Sequence, residues 1–153
     1  PHTPPLSSAA SDVYKRQPYN DTLGHPRGDR ALRQVAKALS ASVFRSRDLV
    51  ARYGGDEFVA LLPDTDAAGA GPTARRLVQA VRDLDLTYNS DGRSCQLSLS
   101  LGGVSLVPER GQDPADMIAL ADANLYQAKR AGQRRLVWTD AAAPDAAIRA
   151  TTA

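Results

Sequence analysis

The sequence predicts an α/β fold of the α+β kind, a mixed sheet with helices packed on it, from three observations. Apolar residues at helical spacing alternate along the chain with short strand-like runs. Gly54-Gly55 separates two of those runs, as a tight hairpin turn does. Leu97, Leu99 and Leu101 alternate with Gln96, Ser98 and Ser100, which is the strand period.

Each element follows from local chemistry. Residues 1–17 are rich in Pro, Ser and Ala and carry neither period, so they are expected as a leader outside the domain. They contain no apolar stretch of the kind a signal peptide needs. Ala31, Leu32, Val35, Ala36, Leu39 and Val43 predict a helix over 29–43, with Asp29 near its start. Leu49–Tyr53 and Phe58–Leu62 are the hairpin strands. A second helix is expected over 66–84, weakened early by Gly69, Gly71 and Pro72. Tyr88–Ser94 reads as a polar loop, and Gly102-Gly103 as a bend or bulge in the strand that follows it. The third helix has Asp113 as N-cap, Pro114 at its first position and Gly132 past its end. Leu136-Val137-Trp138 is a short last strand, and 141–153 a frayed, Ala-rich tail.

Composition narrows the function classes. The chain has 153 residues, 42% hydrophobic and 24% charged, which fits one folded domain rather than a disordered one. The single cysteine excludes a disulfide framework and disfavours zinc. A net charge of +2, with no basic run interleaved with aromatics, gives no nucleic-acid signature. No apolar run reaches the roughly 18 residues of a membrane span.

The chemistry-bearing residues centre on Gly54-Gly55-Asp56-Glu57-Phe58. A hairpin turn alone accounts for the glycines. The functional reading adds that such a turn exposes two carboxylates where a metal-bound triphosphate can approach without Cβ obstruction. Glu57 is one of only two glutamates in the chain, so composition alone would not put it there. Upstream, Asn20 supplies an amide and Asp29 a carboxylate, which suit the donor and acceptor edges of guanine. Downstream, Lys129 at a helix end can reach a phosphate. Taken singly, Asn20 is also a turn former, Asp29 an N-cap and Lys129 a partner of the helix dipole.

Together, in this order and spacing, Tyr19–His25, Gly28-Asp29-Arg30, Gly54–Phe58 and Tyr126–Gly132 resemble the GGDEF domain of diguanylate cyclases over Pro18 to about Asp140. The resemblance implies a fold like nucleotidyl cyclases and polymerase palm domains. It implies condensation of two GTP into cyclic di-GMP with release of pyrophosphate, by a homodimer in which each protomer holds one GTP. It implies two Mg²⁺ ions per active site, with Mn²⁺ as an alternative. By position, Asp56 matches a metal ligand and proton acceptor, Glu57 its neighbour in the signature, Asn20 and Asp29 the guanine contacts, and Lys129 a phosphate contact. Where the family usually has a second phosphate-binding Arg, this chain has Gln133, followed by Arg134. Arg45-Ser46-Arg47-Asp48 matches the family's Arg-x-x-Asp inhibitory motif, and Arg76 a further product-binding arginine. The implied partners are GTP and cyclic di-GMP, without nucleic acid or membrane contact by this domain. The implied location is cytoplasmic, whether or not the parent protein is membrane-anchored.

The leader departs from the family. Asp12 falls in the register of the other metal ligand, eight residues before Asn20, but Arg16 and Gln17 replace a Phe-Lys pair. Pro4–Ser11 is not expected to make a buried strand, so the central first strand is predicted to be missing. Asp12–Gln17 resembles the translation of a transposon-end adapter from sequencing libraries, which makes 1–17 foreign and the match of Asp12 a coincidence. A chain without its central strand is expected to aggregate and to make little or no cyclic di-GMP. The alternative is a degenerate domain that serves as a cyclic di-GMP receptor.

Overall fold

The computed structural model describes residues 3–132, 135–141 and 147–152. In chain order the elements are β1 (Leu6–Tyr14), α1 (Arg16–Leu23), α2 (His25–Ala41), β2 (Leu49–Gly54), β3 (Glu57–Pro63) and α3 (Ala67–Asp83). They continue as β4 (Thr87–Ser90), β5 (Arg93–Gln96), β6 (Ser98–Leu106), α4 (Pro114–Arg130), β7 (Arg135–Asp140) and β8 (Ala147–Thr152). The main sheet has the order β2-β3-β1-β6-β7-β8, and β4-β5 is a separate ribbon. Only β6 and β7 run parallel within the main sheet, so it is mixed, as expected.

The largest correction concerns β1. The central strand is present: Leu6–Asp12 pairs antiparallel with β3, and Leu6–Tyr14 with β6. Its Ser and Ala residues do not prevent burial: the Ser7 and Ser11 hydroxyls find partners inside, while Ser8 Oγ is buried without one. Ser7 Oγ donates to the Thr65 carbonyl at 2.7 Å and shares a 2.6 Å bond with Ser105 Oγ. Trp138 Nε1 donates to that same Ser105 oxygen at 3.0 Å, and Ser11 Oγ donates to the Phe58 carbonyl. Buried serines that are hydrogen-bonded cost little, and backbone pairing on both sides holds the strand. The Pro residues lie before the strand: Thr65 N donates to the Pro5 carbonyl just outside it.

Alternation along β1 and β6 divides the core. Ala9, Val13, Leu97, Leu99 and Leu101 pack with Val35 and Leu39 of α2 and Leu77 and Val81 of α3. Ala10, Val104 and Leu106 pack with Met117, Ala121 and Leu125 of α4 on the opposite face.

Gly102 and Gly103 neither bend nor bulge β6, which pairs in unbroken register with β1. They are small because neighbours press on them. A Cβ at Gly102 would lie within 2.5 Å of the Ala121 carbonyl oxygen of α4. One at Gly103 would lie 2.6 Å from Trp138 Cη2. Asn124, buried on α4, fixes this close approach by donating from Nδ2 to the Gly103 carbonyl at 2.7 Å and to Thr139 Oγ1 at 2.9 Å.

Smaller differences have local causes. α2 begins at His25 rather than 29, with Pro26 in its first turn and Gly24 as its cap, so Asp29 lies inside the helix. α1 is a helix that no periodicity announced, and the β4-β5 ribbon replaces the expected polar loop Tyr88–Ser94; Tyr88 of β4 packs edge-on to Tyr19 of α1. α3 starts on the Asp66 cap and continues through Pro72. α4 has the expected ends, with Asp113 Oδ1 accepting from Ala115 N. Part of the expected frayed tail, Ala147–Thr152, is an edge strand antiparallel to β7. Among the described residues no helix is long and apolar enough to cross a membrane.

Candidate functional site

The β2–β3 turn and the C-terminal end of β1 meet at one end of the main sheet's strands. Gly55 takes φ +49°, the left-handed region that favours glycine, and no atom lies within 4 Å of where a Cβ on Gly54 or Gly55 would sit. The turn is therefore open to an approaching ligand. Asp12 lies opposite Glu57 in the β1–β3 register, and Val13 N donates to the Asp56 carbonyl at 3.1 Å. These bonds bring Asp12 and Asp56, predicted from distant parts of the sequence, to the same sheet end. Glu57 is exposed beside them.

Each of the two aspartates has a cation on it. Lys129 Nζ, from the last turn of α4, lies 2.5 Å from Asp12 Oδ2. Arg16, at the start of α1, forms an ion pair with Asp56. Burial raises the Asp56 carboxyl above its ordinary 3.8; the Arg16 guanidinium pulls it back and the Asp12 charge raises it again. Among the described residues no three His, Cys, Asp or Glu side chains form a metal cluster. Two carboxylates on an open turn nonetheless suit Mg²⁺, which uses few protein oxygens and takes the rest from water and phosphate. Asp56, which would help hold such an ion, is paired with Arg16.

The predicted base contacts lie around α1 and α2. Asp29 is exposed and lines a cavity of about 250 Å³ with Leu32, Arg33, Ala36 and Arg52. Arg52 links this cavity to the turn, since its Nε donates to the Gly55 carbonyl at 2.9 Å. Sequence reasoning missed Arg33 and Arg52, whose signal was only their spacing from Asp29 and Gly54. Asn20 is buried, and its Oδ1 lacks a hydrogen-bond partner. Gln133 and Arg134 lie outside the described residues.

A second constellation sits apart from the turn. Arg45, Asp48 and Arg76, proposed together from sequence, line one cavity of about 240 Å³ with Phe44, Leu62, Thr65, Gly69 and Thr73. Arg45 Nη1 donates to Thr65 Oγ1 at 2.8 Å, and Asp48 Oδ1 is buried without a partner. Arg76 is held on three sides. Its Nη2 donates to Thr73 Oγ1 at 2.9 Å, its Nε to the Ser42 carbonyl at 3.3 Å, and its guanidinium lies 4.5 Å from the Phe44 ring centroid. Phe44 was not singled out from sequence, where one aromatic beside Arg45 carries no periodic signal.

Comparison with known proteins agrees with this architecture. The family model described as "Diguanylate cyclase, GGDEF domain" matches residues 5–135, which includes β1. Response regulator PleD of Caulobacter vibrioides is 36% identical over 133 residues, covering 87% of this chain and 29% of the relative. Diguanylate cyclase DosC of Escherichia coli is 39% identical over 132 residues, covering 86% and 28%. The chain thus spans less than a third of these curated relatives. Among solved structures, Pseudomonas aeruginosa diguanylate cyclase SiaD, in complex with its activator SiaC, matches with TM-score 0.76 and 34% identity, over 88% of this chain and 50% of that one. The GGDEF domain of Caulobacter crescentus DgcB, in complex with c-di-GMP, matches with TM-score 0.76 and 27% identity, over 88% and 77%. With the signature on its turn, its fold and its sequence all matching, the chain belongs to the GGDEF family of diguanylate cyclases.

Proposed function

We propose that this domain condenses two GTP into cyclic di-GMP. In each of two steps a 3′-hydroxyl oxygen forms a bond to the other nucleotide's α-phosphorus. The bond from that phosphorus to the β-phosphate bridge breaks, pyrophosphate leaves and the hydroxyl proton is taken up. The observation that carries the proposal is the meeting of Asp12 and Asp56 beside the open Gly54-Gly55 turn, with Lys129 reaching in from α4. Asp56 is the proposed proton acceptor, with Glu57 beside it, and Lys129 is the proposed phosphate contact. Asn20 and Asp29 would read guanine from α1 and α2. Asp12 and Asp56 would hold Mg²⁺ or Mn²⁺, two ions per site, and metal there would neutralise phosphate charge and polarise the attacking oxygen. Two protomers are required, because each nucleotide attacks the other. A cytoplasmic location follows from the need for GTP.

Product binds, in this proposal, at Arg45, Asp48 and Arg76. The support is their shared cavity and the unpartnered Asp48 Oδ1, an acceptor for a guanine edge. An unchanged inhibition constant after Arg45→Ala would refute it.

We further propose that this chain turns over slowly. The expected cause, a missing central strand, does not hold, since β1 is in place. The remaining cause is Arg16, which occupies Asp56. The same pair favours the second reading, a cyclic di-GMP receptor with a restrained catalytic turn. A GTP turnover assay with Mg²⁺ on the Arg16→Phe/Gln17→Lys variant separates them: renewed synthesis supports the cyclase, and binding without synthesis the receptor. The foreign origin of residues 1–17 stays a proposal of its own, and genomic reads running continuously through codons 10–20 without an adapter match would overturn it.

A further inference from the structure

Gly28 has a role that the guanine contacts alone do not give it. α1 ends at Leu23, Gly24 turns the chain with φ +87°, and α2 starts at once. Gly24 N donates to the Asn20 carbonyl at 2.7 Å, and Gly28 N to the Gly24 carbonyl at 3.2 Å. This corner folds Asn20 back onto Gly28, one helical turn into α2. A Cβ on Gly28 would overlap Asn20 Oδ1 and lie 2.7 Å from its Cγ and 3.2 Å from its Nδ2. All three of the nearest atoms belong to Asn20. The backbone of Gly28 is thus the surface against which the carboxamide is seated. Oδ1 is the atom sealed inside and unpartnered, and Asn20 as a whole is 5% exposed. The other end of the carboxamide is the Nδ2 donor, and Asp29 follows Gly28 directly in the chain.

We propose that Gly28 is a positioning residue for base selection: it fixes the Asn20 carboxamide so that its nitrogen donates to a guanine acceptor while Asp29 accepts from the guanine N–H edge. This rests on the reading of Asn20 and Asp29 as base contacts. A side chain at 28 would force Asn20 out of its seat and weaken binding of guanine nucleotide, with little effect on contacts to triphosphate.

Calorimetric titration of GTP and of ATP, each with Mg²⁺, into the chain and its variants tests this without requiring turnover. Gly28→Ala is expected to weaken GTP binding about tenfold, the loss of one well-oriented hydrogen bond, and to leave ATP binding as it was. Asn20→Ala is expected to give the same loss, and the double variant no further loss. Additive losses, or a Gly28→Ala chain that binds GTP as tightly as the parent, would overturn the proposal and leave the base contacts standing. An Asn20→Ala chain that binds GTP normally would overturn both, the base reading first. If Gly28→Ala alone does not fold, folding of the double variant supports the seat, and its failure to fold refutes it.

Discussion

The turn at Gly54–Phe58 and the Arg45 cavity differ in how their charges are met. At the turn, both aspartates that face the proposed metal position already hold a cation of the protein, Arg16 on Asp56 and Lys129 on Asp12. In the cavity the opposite holds for the acceptor: Asp48 Oδ1 is buried with no partner, while the arginines are fixed by hydroxyls, carbonyls and a ring. Under the proposed function, the first region would exchange an internal cation for an external one. Under the same proposal, the second would already be arranged for a ligand that supplies donors and negative charge. Preorganised sites lose less on binding than sites that must first break an ion pair.

The comparison breaks most sharply on Asp56. Asp56→Asn is expected to lower cyclic di-GMP synthesis on the order of a hundredfold or more, as loss of one charge-stabilising group at a reaction centre does. Cyclic di-GMP binding, read by calorimetry, should not move. Arg45→Ala should do the converse, weakening cyclic di-GMP binding roughly ten- to a hundredfold through loss of charged hydrogen bonds. Synthesis measured at low product should stay at the parent rate. If either variant moved both readouts alike, the two regions would not be separate sites.

The next effect is smaller. Arg16→Phe should tighten Mn²⁺ binding, followed by electron paramagnetic resonance, about fivefold, because a partly exposed ion pair is worth up to about 1 kcal/mol. The pH dependence carries a definite sign. Burial lifts the Asp56 carboxyl above 3.8, so its protonated form is favoured by the fold and stability falls as pH rises through the raised value. Metal binding moves the other way and strengthens over that range, since it needs the carboxylate. Removing Arg16 removes a lowering influence, so the midpoint of Mn²⁺ binding should shift to higher pH. The smallest effect is at Phe44, which is 72% exposed. Phe44→Ala should weaken cyclic di-GMP binding only about two- to fivefold, the worth of an exposed cation–π contact that steadies Arg76. An effect as large as that of Arg45→Ala would make Phe44 a direct contact.

Much of this was legible in the sequence, for physical reasons. α4 announced both ends through Asp113, Pro114 and Gly132, and the hairpin announced itself through Gly54-Gly55. Arg45 and Asp48 were placed together by the Arg-x-x-Asp motif and Arg76 by the family resemblance, and the three line one cavity. β1 was not legible because its burial depends on hydroxyl partners 58 and 98 residues away, which no local pattern records. Gly102-Gly103 was misread for a related reason. The pressure on those two residues comes from α4 and Trp138, later in the chain. The Arg16–Asp56 pair was equally hidden, since 40 positions separate residues that only the sheet brings together.

In the proposed function the carboxylate end is a GTP-condensing centre restrained by Arg16. The initial rate of cyclic di-GMP formation from GTP and Mg²⁺ tests it most directly, compared among the chain, Arg16→Phe/Gln17→Lys, and the same double variant carrying Asp56→Asn. The expected results are a low rate, a raised rate and no detectable rate, in that order. A parent chain that already turns over as fast as the double variant, or a rate that survives Asp56→Asn, would contradict it.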